Sequence, residues 1–259
     1  MIFTDQLGQE VRLEGPPQRI VSLVPSITEL LCDLDIGERL VGCTKFCVHP
    51  ASIRSQTTVI GGTKNPRLSA IEELHPDLII ANKEENRESD VSALRLHTPV
   101  WVSDVKTVED STHLIKSLGA ILDAQAKATQ LSIDIQDIIK GSHVLLGSAA
   151  YLIWKDPYMT IGHDTYIHHM LEMVGLKNVF DDARRYPTVT LDEIISLQPD
   201  FIFLSSEPYP YKENHVEEIS NSIPQSNVIL VDGEFFSWYG TRLLKKSDYP
   251  QELKRTMGL

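Results

Sequence analysis

The feature that most constrains this chain of 259 residues is an internal repeat. Residues 68–80 recur as residues 191–203, and each copy reads as a short helix, a Pro-Asp turn and an apolar strand. At the same offset, the apolar strand at 19–24 corresponds to residues 142–147. A duplicated order of strand, helix and helix-turn-strand predicts two lobes of similar fold.

The predicted strands are continuously apolar, which indicates parallel sheets covered on both faces by amphipathic helices. They span 20–24, 78–81, 144–146 and 201–204. Between the lobes, residues 107–140 contain no proline, and the apolar spacing of 123–140 predicts a helix that ends before Gly141. We therefore predict an α/β fold of two Rossmann-like lobes with parallel sheets, joined by a long α-helix. The predicted boundaries are 1–106 for the first lobe, 107–141 for the connecting helix and 142–259 for the second lobe.

The helix after the first strand has a clear predicted start. Residues 26–29 read Ser-Ile-Thr-Glu, which predicts a capping box with Ser26 as the N-cap. The helix would begin at the carboxyl end of a strand, the edge at which open α/β sheets bind ligands. The helix dipole and its free N–H groups would point at such a ligand.

Composition and charge exclude several classes of protein. A formal net charge of −12 without a basic cluster argues against nucleic-acid binding, and we expect no nucleic-acid partner. No apolar run approaches the length of a membrane span. Residues 1–15 are polar and lack the features of a secretory signal, which leaves a cytoplasmic protein and a mature exported form both open. The three cysteines cannot all pair with one another, so we expect packed or free thiols.

Several motifs resemble one known family, the helical-backbone class of periplasmic substrate-binding proteins, which includes the cobalamin and ferric-siderophore receptors of ABC importers. The matching motifs are RIVSLVPSITELL at 19–31, GGTKNP at 61–66, HPDLI at 75–79, DPYMT at 156–160, DT at 164–165 and RYPTV at 185–189. The resemblance covers about residues 15–245.

The resemblance implies two Rossmann-like lobes, a long connecting helix and a ligand held in the cleft between the lobes. It implies a substrate-binding protein and not an enzyme, with an ABC-importer permease as its partner and a location in the periplasm or cell envelope. The implied ligand is a small metal chelate, either a cobalt corrinoid or a ferric siderophore or haem-type chelate, and the protein would have no intrinsic cofactor. We expect a monomer. The alternative is a cytoplasmic enzyme or metallochaperone that handles a corrinoid or metal chelate.

The resemblance also implies an acidic residue on each lobe that docks onto the permease. In the second lobe this position is Asp192, but its repeat partner in the first lobe is Ser69. Glu72, one turn further along the first-lobe helix, is the acidic candidate there.

The candidate ligand-binding residues of the first lobe follow predicted strands at their carboxyl ends. They are Pro25, Ser26, Phe46, His49, Asn82, Asn86 and Arg87. All except Phe46 have a structural alternative: Pro25 and Ser26 as a helix start, His49 as a structural histidine, and Asn82 to Arg87 as a solvated loop.

In the second lobe, the segment 154–159 is an insertion relative to the first-lobe copy, and its aromatic residues have no obvious core to fill. The candidates of this lobe are Trp154, Tyr158, Met159, Arg185, Tyr186, Trp238 and Tyr239. Arginine suits carboxylate or phosphate groups on a ligand. Trp238 and Tyr239 follow the predicted strand 228–231, with a satellite hydrophobic cluster as the alternative role. We predict no direct metal site, since His163, His168 and His169 do not converge with matching ligands.

Overall fold

The computed structural model describes residues 1–139 and 144–259, which form two compact units. The first unit contains residues 1–105, 109–136 and 239–242, and the second contains 106–108, 137–238 and 243–259. Most of the segment predicted as a separate connecting helix thus groups with the first unit. The return of residues 239–242 to the first unit was not predicted. No helix of the described ranges is long and apolar enough to cross a membrane.

The first unit contains a five-stranded parallel sheet with strand order β5-β4-β3-β6-β7. An N-terminal hairpin, β1 (Ile2–Thr4) with β2 (Glu10–Arg12), precedes it. The strands are β3 (Ile20–Ser22), β4 (Leu40–Cys43), β5 (Thr58–Val59), β6 (Leu78–Asn82) and β7 (Val100–Ser103). The helices are α1 (Pro25–Asp33), a 3-10 turn at Gly37–Arg39, α2 (Ile53–Gln56), α3 (Leu68–Glu73), α4 (Glu88–Arg95), α5 (Val108–Ile121) and α6 (Gln125–Ile139).

The second unit contains a four-stranded parallel sheet with strand order β10-β8-β12-β13 and a separate antiparallel pair, β9 with β11. The strands are β8 (Gly147–Leu152), β9 (Tyr158–Met159), β10 (Leu176–Asn178), β11 (Thr188–Val189), β12 (Phe201–Ser205) and β13 (Asn227–Val231). The helices are α7 (Tyr166–Met173), α8 (Leu191–Leu197), α9 (Glu213–Ser222), α10 (Gly233–Ser237), α11 (Arg242–Lys245) and α12 (Tyr249–Met257).

The predicted fold class is confirmed, because each unit has a parallel sheet with a central strand that is buried along its length. In the first unit, every residue of β6 is buried, and in the second unit the same holds for β12. Trp101 on β7 is fully buried in the core of the first unit. Tyr151, Phe203 and Phe236 are the largest fully buried side chains of the second unit.

The repeat predicted the pairs α3–β6 and α8–β12 correctly. In both copies the residue before the Pro-Asp turn has a positive φ, 46° at His75 and 47° at Gln198. The aspartate of each turn then holds the start of the neighbouring strand. Asp77 accepts hydrogen bonds from the backbone N–H groups of Gln18 and Arg19, and Asp200 accepts from both N and Oγ of Ser148.

This equivalence corrects the predicted first strand of the second lobe, 142–147. Residues 142 and 143 lie outside the described residues, and Val144 and Leu145 are 69% exposed and not in a strand. The strand is β8, in which Ala149 pairs with Phe201 just as Ile20 pairs with Leu78 in the first unit. The register is set by the aspartate at the strand start, so the constant offset of the sequence repeat does not extend to this strand.

The connecting segment forms two helices, α5 and α6, that are interrupted around Asp123. This residue has a φ of 59°, a left-handed conformation that an α-helix does not continue through. The predicted helix 123–140 corresponds to α6, which begins at Gln125. Its predicted end at Lys140 and the predicted cap Gly141 lie outside the described residues.

The predicted capping box at residues 26–29 is wrong. The N-cap is Val24, and Pro25 occupies the first turn of α1, a position where its missing N–H costs no hydrogen bond. Ser26 is therefore already inside the helix. Thr28 Oγ1 instead donates within the core to Ser22 Oγ or Val24 O, at 2.8 and 2.9 Å.

Candidate functional site

The strand order of each sheet points to a ligand-binding position. In the first sheet, β4 and β5 follow β3 on one side, and the chain then returns to the other side of β3 to add β6 and β7. In the second sheet, β10 lies on one side of β8, and β12 and β13 lie on the other. Between β3 and β6, and between β8 and β12, the connections leave in opposite directions, which opens a crevice at the carboxyl ends of the strands. We call the loops at the carboxyl ends of the first sheet the first edge and those of the second sheet the second edge.

At the first edge, Asn82 and Asn86 hold three loops together. Asn82 Oδ1 accepts from the N–H groups of Glu84 and Glu85, and its Nδ2 donates to Ser103. Asn86 Oδ1 accepts from Asn82 N at 2.8 Å, and its Nδ2 donates to the carbonyl groups of Leu23 and Thr63. Both side chains are buried, so their amide groups shape the loops of this edge.

The other first-edge candidates differ in exposure. Pro25 and Ser26 are buried at the start of α1, and His49 is half-buried. Phe46 is 50% exposed, with Lys45 Nζ 4.9 Å from its ring centroid, and Arg87 is exposed at the N-cap of α4. Phe46 and Arg87 are therefore the side chains of this set that are accessible to a ligand.

At the second edge, the predicted insertion forms a small β structure. After β8 the chain turns back, with an antiparallel bridge between Trp154 and Met159, and β9 then pairs with β11. Trp154 is 41% exposed, and Tyr158 and Met159 are half-buried. The insertion thus presents a large aromatic surface beside the crevice position between β8 and β12.

The loop after β12 packs against this surface with residues that the sequence analysis missed, the half-buried Tyr209 and His215 and the buried Tyr211. The ring centroid of Tyr209 lies 5.6 Å from that of Trp154 and 4.7 Å from that of Tyr211. Tyr211 also donates its hydroxyl to Trp154 O at 2.8 Å, and His215 packs edge-on against both tyrosines. We call Trp154, Tyr158, Tyr209, Tyr211 and His215 the second-edge aromatic cluster.

Burial raises the pKa of Tyr158 and of Tyr211 above the usual tyrosine range. Both phenols therefore stay protonated at neutral pH. Because the Tyr211 hydroxyl is already donated to Trp154 O, the cluster offers a ligand its exposed ring surface and the neutral hydroxyl of the half-buried Tyr158, a chemistry suited to stacking and hydrogen bonding.

Arg185 and Tyr186 follow β10, also at the second edge. Arg185 has a φ of 60°, and its N–H donates to Asp164 Oδ1 at 2.6 Å while its carbonyl accepts from Gly162 N at 2.7 Å. These contacts fix the backbone and leave the Arg185 side chain exposed, with Tyr186 half-buried beside it.

Trp238 and Tyr239 follow β13, as predicted, with the short helix α10 between, and both are buried, at 7% and 6% exposure. Trp238 Nε1 donates to Glu207 Oε1 at 2.8 Å, and Ser237 Oγ donates to the same oxygen at 2.8 Å. Burial raises the pKa of Glu207 even though both hydrogen bonds favour its ionised form. Trp238 is thus anchored in the second unit, whereas Tyr239 groups with the first.

The predicted docking residues are on the surface of their helices. Asp192 is exposed in the first turn of α8, a helix that begins with a capping box between Thr190 and Glu193. Ser69 occupies the equivalent exposed position of α3, and Glu72 is exposed near the end of that helix. Within the described ranges, no group of three or more His, Cys, Asp or Glu side chains is placed to hold a metal ion.

Comparison with known proteins supports the assignment of the fold. Residues 20–225 match the sequence profile of a family described as periplasmic binding protein. The uncharacterized ABC transporter substrate-binding lipoprotein YvrC of Bacillus subtilis is 26% identical, with 96% of this chain and 86% of that protein aligned. A vitamin B12-binding protein of Vibrio parahaemolyticus is 23% identical over 73% of this chain and 71% of its own length.

Two solved structures share the fold. The periplasmic vitamin B12 binding protein BtuF of Vibrio cholerae superposes with a TM-score of 0.79 at 21% identity, covering 94% of this chain and 99% of its own. The periplasmic heme binding protein HutB of Vibrio cholerae superposes with a TM-score of 0.76 at 20% identity, covering 91% of this chain and 98% of its own.

Proposed function

This chain belongs to the periplasmic binding protein family, and on that premise we propose that it is the substrate-binding protein of an ABC importer for a metal-containing small molecule. The ligand class we propose is a cobalt corrinoid or a ferric siderophore or haem-type chelate. The protein would act in the cell envelope and deliver its ligand, chemically unchanged, to a permease. Curated relatives that share most of the length of this chain include a substrate-binding lipoprotein and vitamin B12-binding proteins.

The observation that carries the ligand class is the second-edge aromatic cluster. Trp154 and Tyr209 form a T-shaped pair, and Trp154 is still 41% exposed. An exposed aromatic surface at the position where parallel sheets bind ligands suits a large, flat, partly apolar molecule. The neutral hydroxyl of the half-buried Tyr158 beside it can donate a hydrogen bond to a polar group at the rim of such a ligand.

We propose that the edge of each unit, taken by itself, offers further side chains that can contact a ligand. Arg185 and Tyr186 at the second edge, and Arg87, Phe46 and His49 at the first edge, are exposed or half-buried. A guanidinium group can bind a carboxylate or phosphate in two parallel hydrogen bonds, and corrinoids and many ferric chelates carry such groups. Asn82 and Asn86 support the first edge through loop contacts, and Pro25 and Ser26 do so through the start of α1.

The test is a titration with cyanocobalamin, hemin and a ferric hydroxamate, with metal-free porphyrin and metal-free hydroxamate as matched controls. Ligand at about 100 times its Kd adds about 2.7 kcal/mol of stability. In a chain of this size, that corresponds to a rise of about 5 to 11 °C in melting temperature. Failure of all three chelates to raise the melting temperature at saturating concentration contradicts the proposed ligand class.

The site is tested separately with Trp154→Ala. The substitution removes an exposed aromatic contact, so the expected loss is about 1 to 3 kcal/mol of binding free energy. Leu197→Ala is the matched control, since Leu197 is 44% exposed at the end of α8, before the start of β12. Equal affinity in both variants would remove the cluster from the site while leaving the function itself intact.

The partner is tested at Asp192. If Asp192 meets a basic residue of the permease, Asp192→Lys weakens transporter association and leaves ligand affinity unchanged. Glu217→Lys on α9 is the control for the change in net charge, because Glu217 is also an exposed carboxylate of the second unit. Equal association of the two variants would argue against docking through Asp192.

A further inference from the structure

A cavity in the second unit opens between the helices α7, α10 and α12. It has a volume of about 180 Å³ and is partly open to solvent. Every residue that lines it belongs to the second unit. Its buried wall is apolar, with exposed apolar side chains at the rim. The wall is formed by Met170, Val174, Phe235 and Leu243, and the rim includes Ile138 and Val144.

One side of the cavity depends on the close approach of two backbone segments. Gly175 has a φ of 83°, and a Cβ at this position would collide with the carbonyl oxygen of Val144. Leu146 N donates to Gly175 O at 2.7 Å and holds the two segments together. Val144 and Gly175 precede β8 and β10, so this side of the cavity lies toward the amino ends of the strands. The cavity shares no residue with the second-edge aromatic cluster, which lies at their carboxyl ends.

The wall of the cavity suits a flexible apolar chain. An apolar cavity of about 150 Å³ is large enough to bind a molecule of the size of benzene, so the space here accepts a short alkyl chain. Met170 is buried in the wall, and Met173, one turn further along α7, is half-buried. Methionine side chains are flexible and polarisable, which lets such a wall adapt to the shape of a chain.

The charged groups at the cavity are cationic. Lys246 and Lys254 line it and are half-buried, and no carboxylate is among the lining residues, although the chain has a net charge of −12. Lys246 Nζ lies 2.9 Å from Asp232 Oδ2, so its charge is balanced within the protein. The Lys254 side chain has no hydrogen-bond or ion-pair partner among the described residues. A half-buried ammonium group without a counter-charge favours an anionic head group on a ligand.

We propose that this cavity is a second binding site, for a fatty carboxylate of medium chain length. The alkyl chain lies against the apolar wall, and the carboxylate at the mouth of the cavity accepts a hydrogen bond from the Lys254 ammonium group. Burial of the chain supplies most of the affinity, and the charge of Lys254 selects an anionic head over a neutral one. The site is independent of the metal chelate that we propose for the second edge.

The five methionines of the chain give the test a direct readout. In protein labelled with ¹³C at the methionine methyl groups, octanoate should shift the resonances of Met170 and Met173. The resonance of Met159, which bridges to Trp154 at the second edge, should stay unchanged. In the same titration, the affinity should rise about fourfold for each methylene added between butanoate and octanoate, because each is buried in the cavity.

Lys254→Gln tests the charge. The affinity of this variant for octanoate should fall about tenfold, the scale for a hydrogen bond to a charged group, and its affinity for the neutral 1-octanol should stay unchanged. Arg255→Gln is the matched control, because Arg255 has the same charge on the same helix, is exposed and does not line the cavity. This control should bind octanoate as wild type does.

A shift of Met159 alone, or of no methionine, at octanoate concentrations below micelle formation overturns the proposal. Equal affinity of Lys254→Gln and Arg255→Gln for octanoate also overturns it, because the lysine would then not select the anion. If wild type sediments with phosphatidylglycerol vesicles while octanoate shifts neither Met170 nor Met173, this face contacts a lipid surface and the proposal is wrong. These readouts do not depend on whether a metal chelate binds at the second edge.

Discussion

The contact between Trp238 and Glu207 gives a prediction whose size follows from the structure. In Trp238→Phe most of the buried ring area is kept, and the hydrogen bond of 2.8 Å to Glu207 is lost. Hydrogen bonds to charged groups contribute about 1.5 to 3 kcal/mol. Ser237 still donates to the same oxygen, so Glu207 Oε1 keeps a partner. We therefore expect a loss of stability at the lower end of this range, about 1.5 kcal/mol.

Trp238→Ala removes the whole indole as well. The side chain is 7% exposed, so we expect the cost of a large-to-small change in a core, about 3 to 5 kcal/mol. The assay is urea unfolding followed by circular dichroism, with separate transitions fitted if the two units unfold independently. A cost below about 1 kcal/mol for Trp238→Ala would contradict a buried, packed indole and favour a surface role in ligand contact.

The same contact predicts a dependence on pH. The folded-state pKa of Glu207 is raised by burial, so its contribution to stability is fully present below the unfolded pKa and is lost as pH rises through the folded pKa. Glu207→Gln keeps an acceptor oxygen without the charge. This variant should therefore gain stability relative to wild type as pH rises from about 4 to about 8, around and above the usual glutamate range.

For Trp238→Phe the sign is opposite. The lost hydrogen bond favours the ionised carboxylate, so its loss should cost more at about pH 8 than at about pH 4. A pH-independent difference for both variants would refute the argument that the buried Glu207 carboxylate is the acceptor that matters.

Three further predictions concern the rest of the chain. Arg242→Ala should destabilise the first unit by about 3 to 5 kcal/mol in urea unfolding, because it removes the 2.9 Å partner of the buried Glu29; a cost under about 1 kcal/mol would contradict it. Asp200→Asn should lower the urea midpoint at neutral pH, and the midpoints of the variant and of wild type should converge in acid. Hydrogen bonds from Ser148 lower the pKa of Asp200 in the folded protein. The stability that the Asp200 carboxylate contributes is therefore present above its unfolded pKa and is lost as pH falls through its folded pKa. Ser69→Asp should strengthen association with the permease by supplying an acid at the position equivalent to Asp192, and unchanged binding in a pull-down would argue against docking through α3.

The sequence by itself determined those elements whose signals are local. The helix, the Pro-Asp turn and the apolar strand of each repeat lie within thirteen consecutive residues, and the structure contains both copies as α3–β6 and α8–β12. A strand that is buried on both faces is predominantly apolar, so its composition alone indicates it. The family resemblance and the α/β fold follow from the same local motifs.

The tertiary structure decided what depends on partners distant in the chain. The first strand of the second unit is β8 and not the earlier apolar run at 144–146. Pairing of Ala149 with Phe201, together with the contact between Asp200 and Ser148, fixes this choice. The second-edge aromatic cluster likewise joins Trp154 to Tyr209, residues from different loops that meet because β8 and β12 are neighbours in the sheet. Local periodicity contains no information about strand neighbours, so these contacts, and the burial of Trp238 against Glu207, could be read only from the folded chain.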